Sequence, residues 1–382
     1  MAYASGRHQT QYRGLQLHCR PQQALPRRAQ RCGRLRCKAK ALDSPQGTVI
    51  CLGEALFDCL ADQKGVPRDK VKSWTPYPGG APANVACAVA KHDCKSAFIT
   101  ALGQDELAQK MIKLLESLRV DLSGLQQNDK PTRDVLVVFD DSGDREFVGF
   151  GSAKNGEFAD AFLEAGKLPA DAIRNASALV TGTLGLNFPV TAKAMHKALE
   201  YAREGPCKVL VDVNWRPVFW DDHETAPQQI REYVDKADIL KLSDDEAEII
   251  YGVEHGTALD KPESVLEKTS DKVQGLLLSA GAKGCSYIFR NNKGGTFKGR
   301  VPVFKIDVQD TTGAGDAFLS GFLASMVKAG GMEALQADEK KLRYAVEFAT
   351  ACGAFTTTKL GAIDAQPTPK DAEELLKTRD FA

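Results

Sequence analysis

The chain has 382 residues, 43% hydrophobic and 26% charged, with 50 basic and 50 acidic side chains. This is the composition of a soluble protein with a sizeable core, and no apolar run reaches the length of a membrane span. The charge balance hides an asymmetry. Residues 1–40 hold eight Arg, two Lys and no acid, so the remainder carries 40 basic against 50 acidic groups and is a poor non-specific partner for nucleic acid. The ten cysteines include no C-x-x-C pair, which argues against a structural zinc site and a disulfide scaffold.

Taken in chain order, residues 1–45 read as an organellar targeting segment, Arg-rich and without the apolar stretch of a secretory signal. Arg34-Leu35-Arg36-Cys37-Lys38-Ala39 resembles the cleavage region of plastid transit peptides. A mitochondrial leader is the alternative, and a disordered basic tail the plainer one. The body opens with a buried strand, Val49–Gly53. A Gly/Pro loop then leads from Gly79 into an Ala-rich helix ending near Lys91. A strand at Ser96–Thr100 and a helix at Leu107–Leu118 follow. The runs Asp134–Phe139 and Arg145–Phe150 flank Asp141-Ser142-Gly143-Asp144, a hairpin signal that suggests a lid. Alternation then resumes. Strands are expected at Ala178–Val180, Lys208–Asp212, Ile239–Leu242 and Gly275–Ser279, and helices at Val190–Arg203, Ala317–Lys328 and Lys341–Phe355. Such alternation predicts a mostly parallel sheet with crossover helices.

One run carries the strongest chemical signal: Asp310-Thr311-Thr312-Gly313-Ala314-Gly315-Asp316. Its glycines let the backbone turn tightly, and the helix behind it aims free N–H groups at the loop. Such groups can stabilise charge on a transferring phosphoryl group, and Asp316 can accept a proton from an attacking hydroxyl. A plain turn with an acid at a helix start is the structural alternative. A second loop, Gly79-Gly80-Ala81-Pro82-Ala83-Asn84, offers close backbone approach and an amide that both donates and accepts.

Together the two runs resemble the signatures of the ribokinase-like (PfkB) carbohydrate kinases, from about Val49 to Pro367. The resemblance implies an α/β fold with a doubly wound, mostly parallel sheet, helices on both faces and a small β lid. The kinase domain is expected over 46–382, with lid elements around 56–80 and 132–152. It implies ATP-dependent phosphorylation of a sugar hydroxyl. Asp316 would be the base, with Gly313, Ala314 and Gly315 at the phosphoryl group. Asp58, at the end of a first strand Gly53–Asp58, would bind sugar with Gly79, Gly80 and Asn84.

Asp212-Val213-Asn214-Trp215-Arg216 resembles a stretch of fructokinases that brings Asn214 and Arg216 near the phosphates. A buried Arg216 paired to Asp212 is the alternative. Ser279, Gly281, Gly284 and Gly353 would carry the nucleotide, although Thr350 stands where the family often has Asn. Glu246 would support Mg²⁺, and Asp310 would hold an activating K⁺. Ser243 with Glu246 also reads as a helix capping box.

Fructose is the implied substrate and fructose 6-phosphate the product. The segment Gly149–Gly156 lacks the Arg-Asn-Pro-like stretch usual after the lid hairpin of fructokinases. Ribose, another ketose, a nucleoside, or a catalytically silent fructokinase-like scaffold therefore stay open. Exposed lid strands suggest a homodimer, and no membrane or nucleic-acid partner is implied.

Overall fold

The computed structural model describes residues 47–139 and 145–381. The leader and the turn Asp141-Ser142-Gly143-Asp144 lie outside the described residues. The strands are β1 (Thr48–Leu52), β2 (Leu56–Ala61), β3 (Trp74–Gly79), β4 (Lys95–Ile99), β5 (Ala101–Leu102), β6 (Gln126–Gln127) and β7 (Arg133–Phe139). They continue as β8 (Arg145–Phe150), β9 (Ala178–Thr181), β10 (Lys208–Asp212), β11 (Ile239–Ser243), β12 (Gly275–Ser279), β13 (Cys285–Arg290) and β14 (Thr296–Val301).

Eight strands form the central sheet in the order β14-β13-β12-β11-β10-β9-β1-β4. Only β13 runs against its neighbours. Because side chains alternate across a strand, β1 sends Ile50 and Leu52 to one apolar core and Val49 and Cys51 to another. The first core takes up the helices Pro189–Arg203 and Ala226–Val234. The second takes up Ala81–Lys91, Ala314–Ala329 and Glu339–Thr356. The sheet is thus doubly wound. Strand order reverses beside β1, with β4 on one side and β9 on the other. Ligands of such sheets bind outside the carboxyl ends of the strands at that reversal.

A second sheet, β3-β2-β7-β8, stands apart from the first. It corrects one expectation: Asp58 does not end the first strand. That strand stops at Leu52, and Asp58 lies within β2, opposite Tyr77 of β3. The strand β3 carries Pro76 and Pro78 and falls within the lid elements expected around 56–80, where no individual strand is read from the sequence. Proline removes a ladder donor and is tolerated here because β3 is an edge. The helix expected from Ala317 begins earlier, at Ala314, so Asp316 lies in its first turn.

Candidate active site

The turn before the helix Ala314–Ala329 requires glycine at 313. Its φ is 78°, and a Cβ there would lie 2.8 Å from the Cα of Ala362. The first helical bond runs from the Ala317 N–H to the Gly313 carbonyl (2.9 Å). The N–H groups of Gly315 and Asp316 precede that ladder, so they face outward at the positive end of the helix. Asp310 shapes the approach. Its Oδ1 accepts from the Thr312 N–H (3.0 Å) and its Oδ2 from the Gly361 N–H (3.0 Å).

The two motifs meet although 232 residues separate them. Asn84 Nδ2 donates to Asp316 Oδ2 at 2.8 Å. Asn84 is 5% exposed, and its Oδ1 is buried without a hydrogen-bond partner. An unmade buried acceptor is costly, which suits a donor brought by a ligand. Burial pushes the Asp316 carboxyl up to about 6. The Asn84 bond opposes that rise, the Asp212 charge adds to it, and Lys241 and Arg216 oppose it. Gly80 caps the helix Ala81–Lys91 with φ 99°. A Cβ there would strike the Glu54 carbonyl at 2.7 Å, so this glycine serves the passage of the chain past Glu54. Gly79 lies beside Asp58, whose Oδ2 would be 3.2 Å from a Cβ at 79.

At the carboxyl end of the sheet, β10 and β11 set Asp212 beside Lys241. Lys241 Nζ donates to both Asp212 oxygens, at 2.8 and 2.7 Å. Both residues are buried. The alternative of a buried Arg216 paired to Asp212 is therefore corrected: Arg216 is exposed, and lysine takes that partner. Burial works against the Lys241 charge, but Asp212, Glu246 and Asp316 hold its pKa above the usual lysine range. The ammonium would lie 3.2 Å from a Cβ at Gly315, under the helix start.

Glu246 closes a capping box with Ser243, and its other oxygen accepts the Trp215 N–H at 2.6 Å. Burial, then the Asp212 charge, raise its pKa. Asn214 holds φ 42°, a left-handed bend that lets Trp215 reach Glu246.

A cleft of about 900 Å³ opens at the same helix start. Ser279, Gly281, Gly284, Ala314, Gly315 and Gly353 are among its walls. Thr350 also lines it, but its hydroxyl is committed to the Val346 carbonyl (2.8 Å) and touches Cys285 Sγ (3.3 Å). Asn214 and Arg216 are not among the lining residues. Among the described residues, no three His, Cys, Asp or Glu side chains converge as a metal centre, and no helix is long and apolar enough to cross a membrane.

Sequence reasoning missed Lys241 and Glu54. A lysine inside the apolar run Ile239-Leu240-Lys241-Leu242 is itself a signal, because a buried charge needs a partner. Glu54 is 5% exposed, and burial pushes it up to about 8, Asp160 and Asp316 adding and Arg133 opposing.

The fold and this site define a ribokinase-like α/β kinase. A fructokinase from Xylella fastidiosa, solved with bound ATP, superposes with a TM-score of 0.76 at 24% identity, covering 87% of this chain and 99% of that one. Residues 46–369 match the family described as pfkB family carbohydrate kinase. "Probable fructokinase-5" of Arabidopsis thaliana is 36% identical over 332 residues, 87% of this chain and 98% of that protein. "Fructokinase-2" of Solanum habrochaites is 35% identical over 336 residues, 87% and 97% respectively. The chain belongs to the pfkB family of carbohydrate kinases.

Proposed function

We propose that the chain transfers the γ-phosphoryl group of ATP to fructose, giving fructose 6-phosphate and ADP. The observation that carries this reading is the 2.8 Å bond between Asn84 and Asp316, with the Asn84 Oδ1 left for a donor. The match along nearly the full length of plant proteins described as fructokinases supports fructose as the acceptor.

In this reading the sugar lies against Asp58, Gly79, Gly80 and Asn84, under the four-stranded sheet acting as a lid. Asp316 takes the proton of the attacking hydroxyl. The new O–P bond forms as the bond to the β-phosphate oxygen breaks, and ADP departs with that oxygen. In the run Gly313 to Asp316, the outward N–H groups of Gly315 and Asp316 hold the transferring group, aided by Arg216 and Asn214. Ser279, Gly281, Gly284 and Gly353 line the nucleotide's cleft. Lid closure excludes water that would hydrolyse ATP.

Magnesium, when bound, neutralises phosphate charge. Glu246 would support it through water, since each of its oxygens already accepts a backbone N–H. Potassium would lie beside the oxygen donors of Asp310. Residues 1–45 would direct import, to the plastid in the first instance or to the mitochondrion, and residues 46–382 would form the kinase domain. A homodimer through lid strands would use β3, because the Arg68 guanidinium already takes the Val148 and Phe150 carbonyls on β8.

The test is ADP release by the full chain against fructose, ribose, other ketoses and nucleosides, with Mg²⁺ and K⁺. Fructose is expected to give the highest kcat/KM. Absence of turnover on every acceptor would contradict the kinase reading.

A further inference from the structure

The segment from Gly361 to Gln366 touches the loop 310–316 and the helix Ala81–Lys91 at once. The Gly361 N–H bonds Asp310, and Ala362 packs on Gly313. Lys91 Nζ donates to the Ile363 carbonyl. Gln366 Nε2 donates to the Asn84 carbonyl at 2.9 Å, and this is the residue whose side-chain amide holds Asp316. A closed circuit results, from Asp310 through Gly361, Gln366, Asn84 and Asp316 back along the chain.

Gln366 is 5% exposed, and its Oε1 is buried without a partner. An apolar side chain of similar volume would fill the position without that unmade acceptor. Packing alone therefore does not account for an amide here, whereas a bond to the Asn84 backbone does. The Asn84 side chain can meet Asp316 only while its backbone keeps this height above the loop.

We propose that Gln366 is a positioning residue for phosphoryl transfer, pinning the start of the helix Ala81–Lys91 so that Asn84 stays against Asp316. The proposal rests on the kinase reading above. The variant that tests it is Gln366→Met, which keeps length and volume and removes the amide bond to the Asn84 carbonyl. In the full chain, kcat/KM for fructose is expected to fall roughly fivefold to tenfold, the worth of one hydrogen bond, with KM for ATP unchanged. The acid limb of the pH profile should move upward, because the Asn84 bond that lowers the Asp316 pKa is loosened.

Amide hydrogen exchange provides a readout independent of turnover. Residues 81–88 should exchange faster in the variant, and the helix Pro189–Arg203 should not change. Unchanged exchange at 81–88 would overturn the pin. An unmoved acid limb, or KM values for fructose and ATP rising together with a lowered Tm, would reduce Gln366 to a structural role and overturn the proposal. If the wild-type chain phosphorylates no acceptor, the kinase reading fails, and the exchange experiment still decides the pin.

Discussion

The central sheet hides both faces of its strands except at the edge strand β14, whereas the four-stranded sheet hides one. Every residue of β1 and β9 is buried, while β3 alternates between half-buried and exposed positions up to Gly79. A charge in the first sheet has no water to fall back on, which is why Lys241 and Asp212 are bonded twice. In the second, Arg133 of β7 is likewise buried and bonded twice to Asp160, whereas the half-buried Asp58 keeps contact with solvent or ligand. Substitutions in the body should therefore appear in stability or in chemistry, and those in the small sheet in sugar affinity.

The largest effect is expected where the body meets the chemistry. Asp316→Asn should lower kcat roughly 10²- to 10⁴-fold, measured as ADP release at saturating fructose and ATP. Its Tm should hold or rise at neutral pH. Burial raises the folded carboxyl's pKa, so ionising it costs stability that asparagine does not lose. A variant with near-normal turnover would break the comparison at its centre.

Lys241→Met should cost about 3–5 kcal/mol in denaturant unfolding, because it leaves Asp212 buried and unpaired. A loss within the range of a surface substitution would show that water reaches this end of the sheet. In the small sheet, Asp58→Asn should raise KM for fructose roughly tenfold to a hundredfold, the worth of hydrogen bonds to a charged group, while leaving Tm nearly unchanged. Arg68→Met removes two bonds to strand carbonyls on β8 and should be mildest. About 1 kcal/mol or less is expected, read as a small rise in KM for fructose with KM for ATP unchanged.

The same contrast explains what was legible in the sequence. Buried strands of the body are continuous apolar runs, and β1, β10, β11 and β12 stand where those runs are. The bounds of β3 were illegible within the lid expected around 56–80, because Trp74-Thr75-Pro76-Tyr77-Pro78-Gly79 breaks a β pattern with two prolines that only an edge tolerates. The strands β13 and β14 were missed because their alternation is short and interrupted by Asn291–Gly295.

In the site, the glycines of 313–315 and the acid at 316 announce their geometry locally. The Lys241–Asp212 pair does not. It depends on the register of β10 against β11, set by packing across the sheet. The contacts of Asn84 with Asp316 and Gln366 are likewise tertiary, and no local pattern at 366 points to them.

The central claim is that the half-buried carboxyl of Asp316 is the base for sugar phosphorylation. Its most direct test is kcat/KM for fructose between pH 4.5 and 8, in the wild type and in Asp316→Asn. A base must be ionised, so the wild-type value should fall tenfold per pH unit below about 6, the range to which burial raises Asp316. The residual rate of the variant should lack that limb. A wild-type profile flat down to pH 5, or a limb that survives in the variant, would contradict the account.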